Sequence, residues 1–218
     1  MTRLKHLPAV LVSLAVAAGV ASAATPAVAA TASDNTQFSV VAGTLAFGVA
    51  PDVPLLGVVT LNGQAQTKNA TMTDWSVVDA TGSGSGWNVT VQGDSGSGKS
   101  AVFKEYCTVA LTCGSVGYVS GGQTLPANSL TLSSSGASWV SVGGTTGTAP
   151  THSCSSACNL DSASAVKVAS AASGAGLGTY LTNYALNNLT LSTPSTLQAL
   201  STDKVYRVDL TWTLSSGP

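Results

Sequence analysis

The sequence predicts an all-β protein, an antiparallel β-sandwich with long polar loops and little helix. Short runs rich in valine, threonine and aromatic residues recur along the chain, and several alternate apolar and polar residues with a period of two. Gly, Ser, Thr and Asn fill the gaps between the runs, as turns require. Charged residues make up only 8% of the 218 residues, against about 25% in an average soluble domain, which argues against a coiled coil or a charged disordered tail.

Six runs are predicted to form strands. They are, in chain order, 37–48, 54–61, 75–79, 87–92, 101–111 and 204–214. The last run places large side chains on one face, namely Tyr206, Val208, Leu210, Trp212 and Leu214. The opposite face carries Val205, Arg207, Asp209 and Thr211. We therefore expect a half-buried strand at this end of the chain.

The remaining segments are predicted to be connections. Residues 93–100, 114–150 and 168–180 read as long polar loops or insertions. Residues 162–172 are the only candidate for a short helix, and their sequence fits a further strand as well.

Residues 1–30 have the pattern of a secretory signal peptide that is cleaved on export. A basic start is followed by an apolar run over residues 7–20 and then by small residues. Cleavage is expected near Ala29 or Ala30, with Ala23 as the alternative. The mature chain is then one domain over residues 31–218, and no later stretch resembles a transmembrane helix.

The charge balance excludes several classes of function. Loss of the leader removes two of the eight basic residues, which leaves six against nine acidic ones and a net charge of −3. This balance offers no basic surface for nucleic acid. His152 is the single histidine of the mature chain, so histidine-based catalysis is not expected. We predict no catalytic residue, no cofactor and no metal.

The cysteines predict two disulfides. Four remain after export, namely Cys107, Cys113, Cys154 and Cys158, and an even number in an exported chain indicates disulfides. Three pairings are open, and we favour the two local ones, 107 with 113 and 154 with 158. A metal site at His152 and the last two cysteines would lack its fourth ligand.

Two sequence motifs suggest catalysis or nucleotide binding and are rejected. Residues 93–100 satisfy the phosphate-loop pattern, but the residues that follow read as a strand where that site needs a helix. The same segment resembles the nucleophile region of chymotrypsin-like proteases, yet no histidine precedes Ser95 in the mature chain. The acidic residues are scattered, so a secreted hydrolase with two converging carboxylates is the least favoured alternative.

Two segments carry a more specific pattern. Residues 72–91 read MTDWSVVDATGSGSGWNVTV, and residues 206–218 read YRVDLTWTLSSGP. Together they resemble the WxL cell-wall-binding domain of secreted Gram-positive surface proteins. The internal motif is Trp87-Asn88-Val89 and the C-terminal one is Trp212-Thr213-Leu214; Thr81 stands where that family usually has arginine. Residues 41–47 also fit the family, whereas residues 93–185 do not match it and read as a variable insertion.

The resemblance implies a non-enzymatic protein of the cell surface that attaches non-covalently to the cell wall, with peptidoglycan or another wall polymer as its ligand. Other secreted surface proteins are further candidate partners, which leaves a structural or adhesive subunit as the alternative function. The implied binding residues are Trp75, Asp79, Trp87, Val89, Tyr206, Trp212 and Leu214.

Each tryptophan motif permits two interpretations. An exposed indole can stack on a sugar ring, whereas Trp87 and Trp212 each share a strand face with apolar neighbours and could be core residues instead. Trp139, in the unmatched centre, is a further candidate contact. Asp79 could bind a ligand or hold the glycine turn that follows it.

Overall fold

A computed structural model describes residues 34–218, so the predicted signal peptide lies outside the described residues. These residues contain fifteen strands and one single-turn helix. The elements are β1 (Leu45–Val49), β2 (Gln66–Ala70), β3 (Ser76–Asp79), β4 (Trp87–Gly93), β5 (Lys104–Cys107), α1 (Ala110–Cys113), β6 (Gly117–Tyr118), β7 (Leu130–Leu132), β8 (Ser138–Val142), β9 (Thr151–His152), β10 (Cys158–Asn159), β11 (Val166–Ala171), β12 (Gly178–Asn183), β13 (Leu189–Thr193), β14 (Lys204–Arg207) and β15 (Leu210–Ser216). The predicted all-β class is confirmed.

The strands form four antiparallel sheets. Their orders are β1-β3-β12-β8, β10-β7-β13-β2, β15-β4-β11-β9 and β14-β5-β6. Residues 40–218, which hold all of the strands, form one compact unit. Neighbours within each sheet are mostly distant in sequence, so the sheets assemble only when the whole unit folds. Within the described residues, no helix is long and apolar enough to cross a membrane.

The strand alternation explains where the core lies. Strand β4 buries Trp87, Val89 and Val91, while the residues between them are only partly buried. Side chains that point to one face of a strand recur every second residue, so this strand presents a continuous apolar face. The same alternation holds for the predicted face of the last run, whose five large residues pack against the core as partly buried side chains.

Several sequence predictions of individual elements are wrong. Residues 54–61 form no strand, and the run at 37–48 contributes only β1. Within the run at 101–111, only residues 104–107 form a strand, β5. The single-turn helix α1 begins at residue 110, near the end of the run. Although 54–61 is apolar enough for a strand, Pro54 lacks a backbone donor and Gly57 has a φ of 74°, which are both unfavourable in a sheet.

The predicted polar loops are the larger error. Residues 138–142 form β8, residues 166–171 form β11 and residues 178–183 form β12, and each lies inside a sheet. Of the two predictions for residues 162–172, the strand is confirmed, over residues 166–171. Nearly half of the residues in these strands are Ser, Thr, Ala or Gly, which weakens the apolar alternation that a strand shows in sequence.

The C-terminal run is divided between two sheets. Strand β14 pairs with β5, whereas β15 pairs with β4, and Val208 and Asp209 link the two strands. Asp209 anchors this link, since its carboxylate accepts hydrogen bonds from Tyr118 at 2.6 Å and from Arg207 at 2.7 Å. The apolar–polar alternation of residues 204–214 is uninterrupted, so it gives no sign in the sequence that the chain passes from one sheet to another.

Candidate functional site

The two tryptophan motifs are neighbours in one sheet. Strands β4 and β15 pair in antiparallel register, with Trp212 opposite Val91 and Leu214 opposite Val89. The pairing continues past the strand end, where the Asn88 side chain donates to the Gly217 carbonyl at 2.7 Å. Motifs more than a hundred residues apart in sequence thus form a single structural feature.

The four tryptophans form one aromatic cluster. Trp75 lies at its centre, with ring centroids 5.3 Å from Trp139 and 6.4 Å from Trp212. Trp87 contacts Trp139 at 5.8 Å. The rings of Trp75 and Trp87 meet Trp139 nearly edge to face, which is a favoured geometry for aromatic pairs.

Trp75 and Trp87 are internal residues. Both are 0% exposed, and both indole nitrogens have partners: Trp75 Nε1 donates to the Tyr184 hydroxyl at 3.3 Å, and Trp87 Nε1 donates to the Gly176 carbonyl at 3.2 Å. Burial also raises the pKa of the Tyr184 hydroxyl to about 12. Val89 is fully buried as well, so these three side chains reach no ligand in this conformation.

Asp79 holds the turn between β3 and β4. It is buried, and its Oδ1 accepts from the backbone nitrogen of Thr81 at 3.1 Å and from the Thr81 hydroxyl at 2.6 Å. The Thr81 hydroxyl contacts that of Ser83 in turn, at 2.9 Å. Thr81 stands where the family that the sequence resembles usually has arginine. Its hydroxyl extends the hydrogen-bonded turn.

One glycine of this turn has no room for a side chain. A Cβ on Gly86 would lie 2.3 Å from the Ala171 carbonyl oxygen, and its φ of 74° is in the left-handed region. Gly86 directly precedes Trp87, so this close approach fixes where the motif strand begins.

The C-terminal residues of the predicted set are less enclosed. Trp212 and Leu214 are half-buried on β15, which is an edge strand of its sheet. Tyr206 is also half-buried, but it belongs to the sheet of β14, and its hydroxyl donates to the Gln198 carbonyl at 3.0 Å. The structure thus places five of the seven predicted residues on β4, β15 and the turn before β4. Trp75 joins them through its ring contact with Trp212, and Tyr206 lies elsewhere.

Three members of the aromatic cluster were missed as site residues by the sequence analysis. Phe47 lies 6.1 Å from Trp75, His152 stacks on Trp139 with centroids 4.9 Å apart and planes 17° apart, and Tyr184 lies 5.4 Å from His152. His152 sits in a two-residue strand, too short for any periodicity to be read. Burial lowers the pKa of its imidazole and so favours the neutral ring.

Both disulfides are local, as favoured from the sequence. Cys107 pairs with Cys113, and Cys154 pairs with Cys158. The second closes the loop that follows β9 and belongs to the buried core, next to the aromatic cluster. The first encloses α1.

Several acidic side chains have structural partners. Glu105 binds Lys204 at 2.6 Å, and Asp161 accepts backbone hydrogen bonds from Ser129 and Leu130 at 2.9 Å. Asp94, in the segment that matches the phosphate-loop pattern, binds Lys99 at 2.6 Å. Hydrogen bonds from Lys99 and from the Gly96 backbone lower the pKa of Asp94 to about 2. Strand β5, not a helix, follows this segment.

Comparison with known proteins gives one result. The model of the family described as WxL domain, surface cell wall-binding, matches residues 56–218. No curated protein and no solved structure gives a significant match. The match covers the paired motif strands and also the central residues 93–185, which contribute strands to all four sheets.

Proposed function

Because the chain belongs to the WxL family of surface cell wall-binding domains, we propose that it is exported and then attaches non-covalently to the peptidoglycan of the cell wall. The family places the protein at the cell surface with a cell-wall polymer as its partner. The observation that carries the proposal is the match over residues 56–218, which includes both tryptophan motifs. Their pairing on adjacent strands supports a common role.

The predicted binding residues take two roles in this proposal. Trp212 and Leu214, half-buried on an edge strand, are the direct contacts. The other role is structural: the buried side chains of Trp75, Trp87 and Val89 support the aromatic cluster. Asp79 stabilises the turn before β4. Tyr206, on a different sheet, makes a separate contact. We assign the chain no catalytic activity.

Sedimentation with purified cell walls tests the proposal. The protein, recovered from the medium of a secreting host, should sediment with peptidoglycan sacculi and remain in solution without them. Trp212→Ala should reduce the bound fraction while circular dichroism stays unchanged. Leu111→Ala is the matched control, since this exposed side chain lies on α1. A folded wild-type protein that stays in solution with sacculi would disprove the proposal.

Hydrolysis is tested on the same samples. Chromatography of the solution after prolonged incubation should detect no soluble muropeptides or glycan fragments beyond those of a protein-free control. Release of such fragments only when the protein is present would contradict the non-enzymatic assignment.

A second candidate function has one observation in its favour. An apolar groove of about 690 Å³ runs between residues 53–61 and 197–208, and Leu55 and Val58 beside it are largely exposed. Exposed apolar surface of this kind is common where another protein binds. The alternative is therefore a structural or adhesive subunit that binds another surface protein through this groove.

Recovery of the protein from its own cell surface distinguishes the two functions. A subunit should co-purify with a second surface protein at a fixed ratio, and Leu55→Asp should abolish that association without affecting sedimentation with sacculi. Isolation of the wild-type chain alone would count against the subunit function.

A further inference from the structure

A shallow recess opens beside the aromatic cluster, away from the paired motif strands. It has a volume of about 390 Å³ and lies between β8, β9 and the loops next to them. Trp139 and His152 line it together with the apolar surface of Pro150, and Ser134 and Ser155 contribute hydroxyl groups. Its lining thus combines aromatic and small apolar surface with several short polar side chains.

The aromatic part of this recess is rigidly supported. His152 stacks on Trp139 at 4.9 Å, and the edges of Trp75 and Trp87 pack against Trp139 from the core. The neighbouring Cys154–Cys158 disulfide closes the loop that carries Ser155. A ligand that binds here therefore meets a preorganised surface and orders few side chains on binding.

Both aromatic rings carry a buried nitrogen without a partner in residues 34–218. These atoms are Trp139 Nε1 and His152 Nδ1. His152 Nε2 lies 3.4 Å from the Ser138 carbonyl and donates to it, so in the neutral ring Nδ1 is an acceptor. Buried polar atoms of native proteins rarely lack partners. The stacked rings thus hold one buried donor and one buried acceptor that make no hydrogen bond within residues 34–218.

The recess carries no charge in its lining. Every lining residue is neutral, and the lowered pKa of His152 keeps the imidazole uncharged near neutral pH. The mature chain is also net acidic. A phosphate-rich wall polymer would find no cation here, whereas a sugar ring presents an apolar C–H face for stacking and hydroxyls for the polar groups.

We propose that this recess, formed by Trp139, His152 and the hydroxyl-bearing loops around them, binds one uncharged sugar ring of the wall glycan. The inference rests on the proposed attachment to peptidoglycan and adds the part of the polymer that is recognised. It also places a glycan contact outside the two tryptophan motifs.

A pair of substitutions in one loop tests the recess. Ser155→Glu should obstruct it, because Ser155 is exposed and lines it. Ser156→Glu is the matched control, since the neighbouring residue is equally exposed, lies in the same loop and is absent from the lining. Both variants add the same charge, so a difference between them reports on the recess itself.

Two measurements apply to these variants. An uncharged tetrasaccharide of N-acetylglucosamine is titrated into each protein while tryptophan fluorescence is recorded, and sedimentation is repeated with sacculi stripped of phosphate-containing polymers. The wild type and Ser156→Glu should bind in both assays. Ser155→Glu should weaken the tetrasaccharide affinity at least tenfold and reduce the sedimented fraction.

Failure of the inference can be told apart from failure of the proposed function. If the wild type sediments with stripped sacculi and Ser155→Glu does so equally, the wall attachment stands and the recess is not the glycan site. If the wild type needs the phosphate-containing polymers to sediment, the uncharged ligand is wrong. If the wild type binds no form of the wall, the proposed function itself fails.

Discussion

The two tryptophan motifs have similar sequences and different surroundings. Trp87 lies on β4, which has a strand on each side, and its indole is fully buried. Trp212 lies on β15, at the edge of the same sheet, and is only half-buried. The same tripeptide pattern therefore occupies two environments: the central copy is part of the buried core, whereas the edge copy keeps part of its indole accessible.

The largest loss of stability is expected from a substitution in the central motif. Trp87→Ala removes a fully buried indole and should lower the free energy of unfolding by about 3–5 kcal/mol. Urea denaturation followed by circular dichroism measures this loss, with Leu111→Ala as an exposed control expected to change little. A loss for Trp87→Ala as small as that of the control would show that Trp87 is not a core residue.

A substitution in the turn before the central motif should lower the free energy of unfolding almost as much. Gly86→Ala combines a left-handed backbone with a collision against Ala171, so we expect a loss of roughly 2–5 kcal/mol. Gly84→Ala is the matched control, because its φ is also positive and nothing lies within 4 Å of the added Cβ. It should cost only about 1–2 kcal/mol. Equal urea midpoints for the two variants would contradict the close approach.

The edge motif should separate binding from stability. Trp212→Ala removes a half-buried side chain and should cost about 1.5–2.5 kcal/mol, half of the loss expected for a fully buried tryptophan. The variant should remain folded at room temperature and still lose sedimentation with sacculi. A loss of stability as large as that of Trp87→Ala would remove the distinction between the two motifs.

The smallest change in stability is expected from the protonation of His152, at the outer side of the aromatic cluster. The pKa of His152 is lowered in the folded protein, so below about pH 6.5 the unfolded chain binds a proton more readily than the folded one. Stability should therefore fall as the pH drops through this window and be fully retained above it. Urea midpoints at about pH 7.5 and about pH 5.5 should differ less for His152→Gln than for the wild type.

Much of the architecture was predictable from the sequence. The period-two alternation of β4 and β15 correctly identified which residues face the core, and the cysteine spacing favoured the two local disulfides that form. Strands β8 and β12 were expected to be loops, and β11 was left open between a short helix and a strand, because nearly half of their residues are Ser, Thr, Ala or Gly. Their burial depends on large residues from other strands, which no local pattern records.

The candidate site was only partly predictable. The motif residues were identified, but whether each is internal or accessible follows from its place in the sheet. His152 was considered only as a catalytic base or a metal ligand, and the structure places it against Trp139. A two-residue strand carries no periodicity, so its position emerges only when β9 pairs with β11.

The sequence by itself determined the fold class, the disulfide pairs that spacing favours and the family to which the chain belongs, because these depend on local alternation, residue spacing and motif order. Only the tertiary structure decided that Trp87 is enclosed and Trp212 half-exposed, that four tryptophans converge, and that Trp139 and His152 form an uncharged recess. The physical reason is that these properties arise from contacts between residues far apart in the chain, and such contacts form only when the sheets pack together.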